Sequence, residues 1–373
     1  MQTENSEATS NALGVSQFDD ILTGRIPLID VRAPVEFDDG HIPGAINLPL
    51  LNNQQREEIG RCYKQQGQEA AIALGHKLVA GDDKAEKLEA WRDALAREPS
   101  SVITCFRGGL RSKTTQSWLA EIGCQAARVE GGYKALRTHA ISSILKIAQM
   151  KKFIIVGGRT GIGKTHLVNR LKSSVDLEGL ANHRGSAFGR RATPQPAQAV
   201  FENSLASALL LNESLTCESL FLEDESRAIG SVSLPLEFHR AMTQAPVVSV
   251  EEPLEYRVET ILNDYIVSNL QDFRELDPKT AQVLFSDSLL GSLDRIKKRL
   301  GGERHQQVRT LMQTALAKDN DHELHRHWIR TLLCDYYDPM YAYQMEKKKH
   351  RIVFRGNSES FLQWAKEFDS AGN

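Results

Sequence analysis

Residues Gly158-Arg-Thr-Gly-Ile-Gly163-Lys164-Thr165 match the phosphate-loop pattern G-x-x-x-x-G-K-[ST] at every position. The apolar run Phe153–Val156 before it reads as a strand, and His166–Lys172 after it reads as a helix. Few folds satisfy that order. A strand must turn over glycines directly into a helix N-terminus, which is the unit of an α/β sheet. Gly158, Gly161 and Gly163 let backbone N–H groups wrap a pyrophosphate. Lys164 then supplies charge to its terminal phosphate, and the Thr165 hydroxyl can hold Mg²⁺. The motif specifies a diphosphate, not a nucleotide, and no adenine- or guanine-reading signature accompanies it. Leu220–Leu222 reads as a second strand ending in Glu223-Asp224-Glu225. Glu223 and Asp224 are candidates to position a metal or a nucleophile; a solvated acidic turn is the alternative.

Upstream, short apolar strands at Pro27–Val31, Ala45–Leu48, Ser101–Cys105 and Ala126–Val129 alternate with helical stretches. That alternation predicts a parallel sheet covered on both faces. The insert 52–98 reads as mostly helical, clearest at Lys84–Arg97. The polar residues 1–14 read as a flexible tail. A first domain is expected over 15–137, a connecting helix or linker over 138–150, and a second α/β domain from 151 to 373. The C-terminal part of that second domain reads as largely helical, broken at Asp277-Pro278 and Asp338-Pro339.

The strand Ser101–Cys105 runs into Phe106-Arg-Gly-Gly-Leu-Arg111-Ser112, and a helix over Lys113–Ile122 is expected next. Gly108 and Gly109 allow a turn that aims N–H groups inward, and the helix N-terminus, Arg107 and Arg111 add positive charge. Such surroundings favour a thiolate at Cys105 and a bound anion along Arg107, Gly108, Gly109, Leu110, Arg111 and Ser112. Cys62, Cys124, Cys217 and Cys334 lack that setting and read as structural. With five cysteines and no C-x-x-C pair, a disulfide framework and a zinc ribbon are not expected.

Residues 15–137 resemble the rhodanese family. The likeness lies in Ile29-Asp-Val-Arg32, Glu36-Phe37, Gly40-His-Ile-Pro-Gly-Ala-Ile-Asn47, the Cys105 loop and Val129-Glu-Gly-Gly-Tyr133. That resemblance implies that Cys105 carries sulfur or selenium as a persulfide or perselenide, with Asp30 and Arg32 paired near the loop base. His41 reads as a satisfied turn residue. One departure stands out: Arg111 lies six positions after Cys105, where common single-domain rhodaneses have five. A longer loop can enclose a larger tetrahedral anion, so a phosphate-containing donor is expected.

Further segments extend the likeness: Cys62-Tyr-Lys-Gln-Gln-Gly67, Leu177-Glu-Gly-Leu-Ala-Asn-His-Arg-Gly-Ser-Ala-Phe-Gly189, Glu223-Asp-Glu-Ser-Arg-Ala-Ile-Gly230, Lys298-Arg-Leu-Gly-Gly302 and Tyr336-Tyr-Asp-Pro-Met-Tyr341. Taken with both loops, nearly the whole chain resembles the bacterial tRNA 2-selenouridine synthase family. This implies a transferase acting on wobble 2-thiouridine in the anticodon region of tRNAs for Lys, Glu and Gln. Its co-substrates would be geranyl diphosphate and selenophosphate, with S-geranyl-2-thiouridine as the intermediate. No tightly bound cofactor is implied, and Mg²⁺ is an open question.

Charge fits an RNA substrate only locally. Lys plus Arg (46) nearly balances Asp plus Glu (48), so RNA must be gripped by clusters rather than by a basic surface. His183, Arg184, Arg190 and Arg191 are candidates for tRNA phosphates or the diphosphate. Arg295, Lys297, Lys298 and Arg299 are candidates for the tRNA backbone, and Tyr336, Tyr337 or Tyr341 for stacking an unpaired base. The competing readings are a rhodanese-type sulfurtransferase coupled to a P-loop ATPase or kinase, and a tRNA-binding adaptor with relic sites. No apolar run is long enough for a membrane span and no signal layout is present, so a cytoplasmic protein is expected. The sequence names no protein partner and no resident metal.

Overall fold

The computed structural model describes residues 12–213, 218–318 and 320–371. The expected tail up to residue 11 and Cys217 lie outside the described residues. The chain divides into two compact units: residues up to Ile144 with Ala197–Leu211, and Leu145–Pro196 with the residues from Asn212 on.

The first unit is built on five parallel strands, ordered Ala12–Leu13, Ala127–Val129, Val102–Thr104, Leu28–Asp30 and Ile46–Asn47. Leu28–Asp30 and Val102–Thr104 are buried at every position, as parallel strands covered on both faces must be. The insert folds as three helices, Asn53–Gln66, Gln68–Leu78 and Asp82–Arg97. Asn52 caps the first through the Gln55 amide, and Gln55 returns a bond to the Asn52 amide. Trp91 carries the third into the core, where its indole N–H donates to the Leu48 carbonyl at 2.9 Å.

Three differences from expectation concern boundaries. Ala12–Leu13 pairs as an edge strand, so ordered chain starts before residue 15. The expected connecting helix or linker 138–150 is the later part of one longer helix, Gly132–Met150, that begins inside the expected first domain, and the units divide within it. The segment Ala197–Leu211 groups with the first unit rather than the second. Its helix, Gln198–Glu213, places Asn203 so that its amide donates to the His41 carbonyl at 2.7 Å, and Glu202 pairs with Arg137.

The second unit also has five parallel strands, ordered Ile352–Gly356, Val247–Val250, Lys152–Gly158, Ser219–Glu223 and Ser174–Val175. Phe153, Ile154, Ile155 and Val156 are buried in its central strand. A separate helical core is formed by Leu254–Ile261, Ser268–Leu276, Ala281–Leu300, Gly302–Ala317 and His322–Leu332, around residues such as Phe285, Leu293, Val308 and Trp328. Asp277 ends a helix as expected, its carboxylate accepting from the Lys279 amide and Thr280 hydroxyl. Asp338-Pro339 does not break the chain. A π-helical turn, Leu333–Tyr337, precedes it, and such a turn accommodates a proline that lacks an N–H while the helix continues over Asp338–Lys348. The C-terminal region is helical except for the edge strand Ile352–Gly356.

Candidate functional site

In the first unit, Cys105 directly follows the strand Val102–Thr104, at the carboxyl edge of the parallel sheet where ligands of open α/β sheets bind. Its thiol is buried and lies 3.2 Å from the Ser112 hydroxyl, which donates in turn to the Gly109 carbonyl. Gly131 and Gly132 have φ of +69° and +64°. A Cβ on Gly132 would lie 2.2 Å from the Cys105 carbonyl oxygen, so only glycine admits this close passage. That passage lets the Tyr133 and Lys134 amides donate to the carbonyls of Cys105 and Phe106. Beneath the loop, Arg32 and Asp30 form a buried ion pair at 2.6 Å, and Arg32 also donates to the Gly40 carbonyl and stacks on Tyr133. His41 is a satisfied turn residue, stacked on Phe37 and bonded to its carbonyl.

Arg111 does not stand free beside the thiol. It forks onto Glu36 at 2.5 and 3.1 Å, and Arg56 reaches the same carboxylate at 3.2 Å. Burial alone would raise the Glu36 pKa, but the Arg111 hydrogen bond and charge outweigh it and hold the carboxyl below its usual range. Arg107 is exposed, its guanidinium 5.7 Å from the Phe106 ring centre, and Leu110 is exposed as well.

In the second unit, Gly158 ends the strand Lys152–Gly158, and Gly161 and Gly163 take φ of +89° and +76° on the way into the helix Lys164–Val168. A Cβ on Gly161 would lie 2.8 Å from the Arg257 carbonyl oxygen. Arg257 is itself buried, forked onto Asp338 at 2.7 and 2.8 Å. The sheet register sets Val156 opposite Glu223, so that carboxyl emerges one strand from the phosphate loop. Thr165 Oγ1 lies 2.8 Å from Glu223 Oε1 and 2.9 Å from Glu178 Oε2. A hydroxyl has one proton to give, so it cannot donate to both carboxyls at once. Burial, then the charges of Glu178 and Asp176, push Glu223 up to about 8. Burial and Glu178 raise Glu225 well above the carboxylate range. Burial alone would lower Lys164, but Glu178, Glu225, Glu223 and Asp224 hold its ammonium above the lysine range. The Asp224 carboxylate is taken by Lys348 at 2.5 and 2.6 Å.

Thr165 and Glu223 are the residues that fit a divalent cation, which would replace the proton shared around that hydroxyl. Among the described residues, no group of three or more His, Cys, Asp or Glu side chains is arranged to hold a metal. Phosphate oxygens and water would have to complete the shell, as they commonly do for Mg²⁺.

A cavity of about 850 Å³ opens over the phosphate loop. It gathers residues far apart in sequence: Lys164 and Thr165, Arg184 and Arg191, Arg295, Lys298 and Arg299, Tyr336 and Tyr337. Helical spacing explains the third group, because positions 295, 298 and 299 share a face and Lys297 does not. His183 is buried behind the wall, bridged to Arg190. Tyr341 lines a smaller adjoining cavity with Gly158 and Lys164. Glu178, Glu225 and Tyr265 also line the main cavity and are not among the site residues named from the sequence. Glu178 had one usable signal, a carboxylate just after an apolar strand, as at Glu223. Cys62, Cys124 and Cys334 are free thiols; Cys62 is buried, whereas Cys334 is exposed and packs no core.

The family model of the tRNA 2-selenouridine synthase AAA domain matches residues 151–371, and that of the rhodanese-like domain matches residues 15–139. A protein named tRNA 2-selenouridine synthase from Pseudomonas syringae pv. tomato is 51% identical over 336 residues, covering 89% of this chain and 92% of its own. Proteins of the same name from Azotobacter vinelandii and Pseudomonas fluorescens are 48% and 46% identical, covering 92% and 95% of this chain and 94% and 98% of theirs. A solved N-terminal domain of a protein described as ATP/GTP binding, from Clostridium difficile 630, is 32% identical over 34% of this chain and 96% of its own; its TM-score of 0.30 carries no fold argument.

Proposed function

The chain belongs to the tRNA 2-selenouridine synthase family, and on that premise we propose that it converts 2-thiouridine to 2-selenouridine at the wobble position of tRNAs for Lys, Glu and Gln. The reading has two transfers. In the first, the thiocarbonyl sulfur attacks C1 of geranyl diphosphate, the C–O bond breaks, and N3 of the base loses its proton. Lys164 and the phosphate-loop amides neutralise the departing pyrophosphate. A divalent cation held by Thr165 and Glu223 would supply further charge neutralisation there. In the second transfer, the selenium of selenophosphate attacks C2 of the base and geranylthiolate leaves, since an alkylated sulfur leaves more readily than a thiocarbonyl sulfur; water then takes the phosphoryl group from the Se–P bond, releasing phosphate. Cys105 is proposed to contact and orient the selenium donor, whose selenium stays at the selenide level, with the extended loop and Arg111 receiving the tetrahedral anion.

The observation that carries this reading is the pairing, on one chain, of a thiol loop and a diphosphate loop whose cavity also gathers basic and aromatic side chains. The test is mass analysis of a 2-thiouridine anticodon stem-loop incubated with the protein. Geranyl diphosphate alone should give the S-geranyl product, and added selenophosphate should give 2-selenouridine. Cys105→Ala should stop the second step only; intact selenation in that variant would remove the role given to the thiol. ATP dependence without geranyl diphosphate dependence would favour a sulfurtransferase coupled to an ATPase.

A further inference from the structure

Besides Lys164, the wall of the main cavity carries Arg184, Arg191, Arg295, Lys298 and Arg299. Among the described residues, none of these five forms an ion pair with a carboxylate. Elsewhere in the chain the buried or half-buried guanidiniums of Arg32, Arg111 and Arg257 each meet one. Arg184 Nη1 and Arg191 Nε are buried with no hydrogen-bond partner. Arg184 otherwise rests on the Tyr265 ring at 5.2 Å, and Arg295 donates only to the Ala187 carbonyl and Ser292 hydroxyl. Burial, and then Arg191, lower the Arg184 pKa; burial, and then Arg190, lower that of Arg295. Crowded cations with empty donors are costly unless an anion joins them.

The local fold builds this crowding. The Arg184 amide donates to the Gly189 carbonyl at 2.9 Å, and His183 bridges Arg190, closing a tight hairpin. Gly185 at its turn has φ +58°, and a Cβ there would lie 2.6 Å from carboxylate oxygens of both Glu178 and Glu225. One cavity thus holds two charge environments. Lys164 is offset by the acidic cluster at the phosphate loop, while the arginines, among the described residues, form no ion pair, Arg184 feeling Asp264 and Asp272 only at longer range.

We infer that this arginine patch is a second anion site, which grips backbone phosphodiesters of the RNA while the phosphate loop holds a diphosphate. The inference rests on the tRNA reading above. A phosphodiester chain fits better than one compact anion, because the patch runs from half-buried Arg184 and Arg191 to exposed Arg295, Lys298 and Arg299 on one helix face. RNA and diphosphate donor then occupy the cavity together, and the transfer between them is direct.

The experiment compares Arg191→Gln/Arg299→Gln, Arg191→Lys/Arg299→Lys and Lys164→Gln in the full chain. A labelled anticodon stem-loop is titrated at several salt concentrations, and inorganic pyrophosphate is titrated by calorimetry. The Gln pair should weaken RNA binding by about tenfold and lower the log–log salt slope by roughly 1.5, with the Lys pair restoring the slope. Its pyrophosphate affinity should stay within about twofold, which also certifies the fold. Lys164→Gln should do the reverse, and pyrophosphate should not displace RNA from the unaltered protein. Competition between the two ligands, or an unchanged RNA slope in the Gln pair, overturns the second site while leaving the tRNA reading standing. Absence of RNA binding by the unaltered protein overturns both.

Discussion

In the Cys105 loop the working cation, Arg111, is held by an ionised carboxylate, Glu36. In the phosphate loop the cation, Lys164, sits among carboxyls that burial and mutual repulsion keep partly protonated. Both loops leave the carboxyl edge of a parallel strand over glycines into a helix, and both contain a stand-in for the anion they are read to receive. They differ in how that stand-in is removed. Glu36 must give up a fork of two hydrogen bonds before Arg111 can turn to a ligand. The acidic cluster around Thr165 can exchange a proton for a cation without any side chain leaving. Access to the first loop is therefore governed by competition between anions, and access to the second by proton and cation uptake.

The largest effect that would sharpen this contrast is at Lys164. Lys164→Ala removes the only cation facing Glu178, Glu223 and Glu225 that lies within the phosphate loop itself. Pyrophosphate affinity and S-geranyl formation should fall by about 10²–10³-fold, measured by calorimetry and product mass. A loss below tenfold would mean that the backbone amides, not Lys164, hold the diphosphate. Glu36→Gln tests the other loop and should act in the opposite sense. Freed from its fork, Arg111 should bind a tetrahedral anion such as thiosulfate about tenfold more tightly, while the first unit loses about 1–3 kcal/mol on thermal unfolding. Weaker anion binding would show instead that Glu36 orients Arg111 for its ligand.

The two loops were also unequally legible in sequence. Each carries its backbone chemistry in eight consecutive residues, so spacing alone revealed Cys105, Arg111, Lys164 and Thr165. What controls their charge comes from elsewhere. Glu36 lies 75 residues before Arg111, and Glu178 and Glu223 reach Thr165 from 13 and 58 residues away, Glu178 from the short helix Leu177–Leu180 and Glu223 from a strand end. The carboxylates ending Leu220–Leu222 made Glu223 a candidate, but nothing in its spacing tied it, or Glu178, to Thr165. The helix Gln198–Glu213 was assigned to the second domain by chain order, although its Asn203 and Glu202 contacts lie in the first unit. The strand Ile352–Gly356 escaped notice because it is an edge strand with alternating exposed positions and follows a long run of helices.

A pH series separates the loops more gently. Glu223, held near 8 when folded against an ordinary value of 4.5, binds more protons folded than unfolded between those limits. Its contribution to stability is therefore complete below about 4.5 and is lost as pH rises through about 8. Glu36 has the opposite sign, contributing above its ordinary pKa and losing that contribution as pH falls through its lower folded value. Glu223→Gln should flatten the decline of the unfolding temperature between pH 5 and 8 by a few degrees. Adding Mg²⁺ with pyrophosphate at pH 7 should release protons, read as a buffer-dependent heat, and the variant should release fewer. An unchanged heat would place the displaced proton on Glu225 rather than Glu223.

The smallest effect belongs to Arg107, which the loop pattern had cast as a partner of Arg111. The structure leaves it exposed beside Phe106, touching neither Cys105 nor Glu36. A charge in water on the order of 7 Å from a bound anion contributes roughly 0.6 kcal/mol, or about threefold in affinity. Salt at physiological strength, with a screening length of about 8 Å, removes most of that. Arg107→Gln should therefore weaken thiosulfate binding by about threefold at low salt and by less than twofold at physiological salt, whereas Arg111→Gln should abolish it at both. Equal losses in the two variants would mean that Arg107 swings over the thiol when an anion arrives. The first loop would then recruit a second cation on binding, and the contrast with the preassembled phosphate loop would widen.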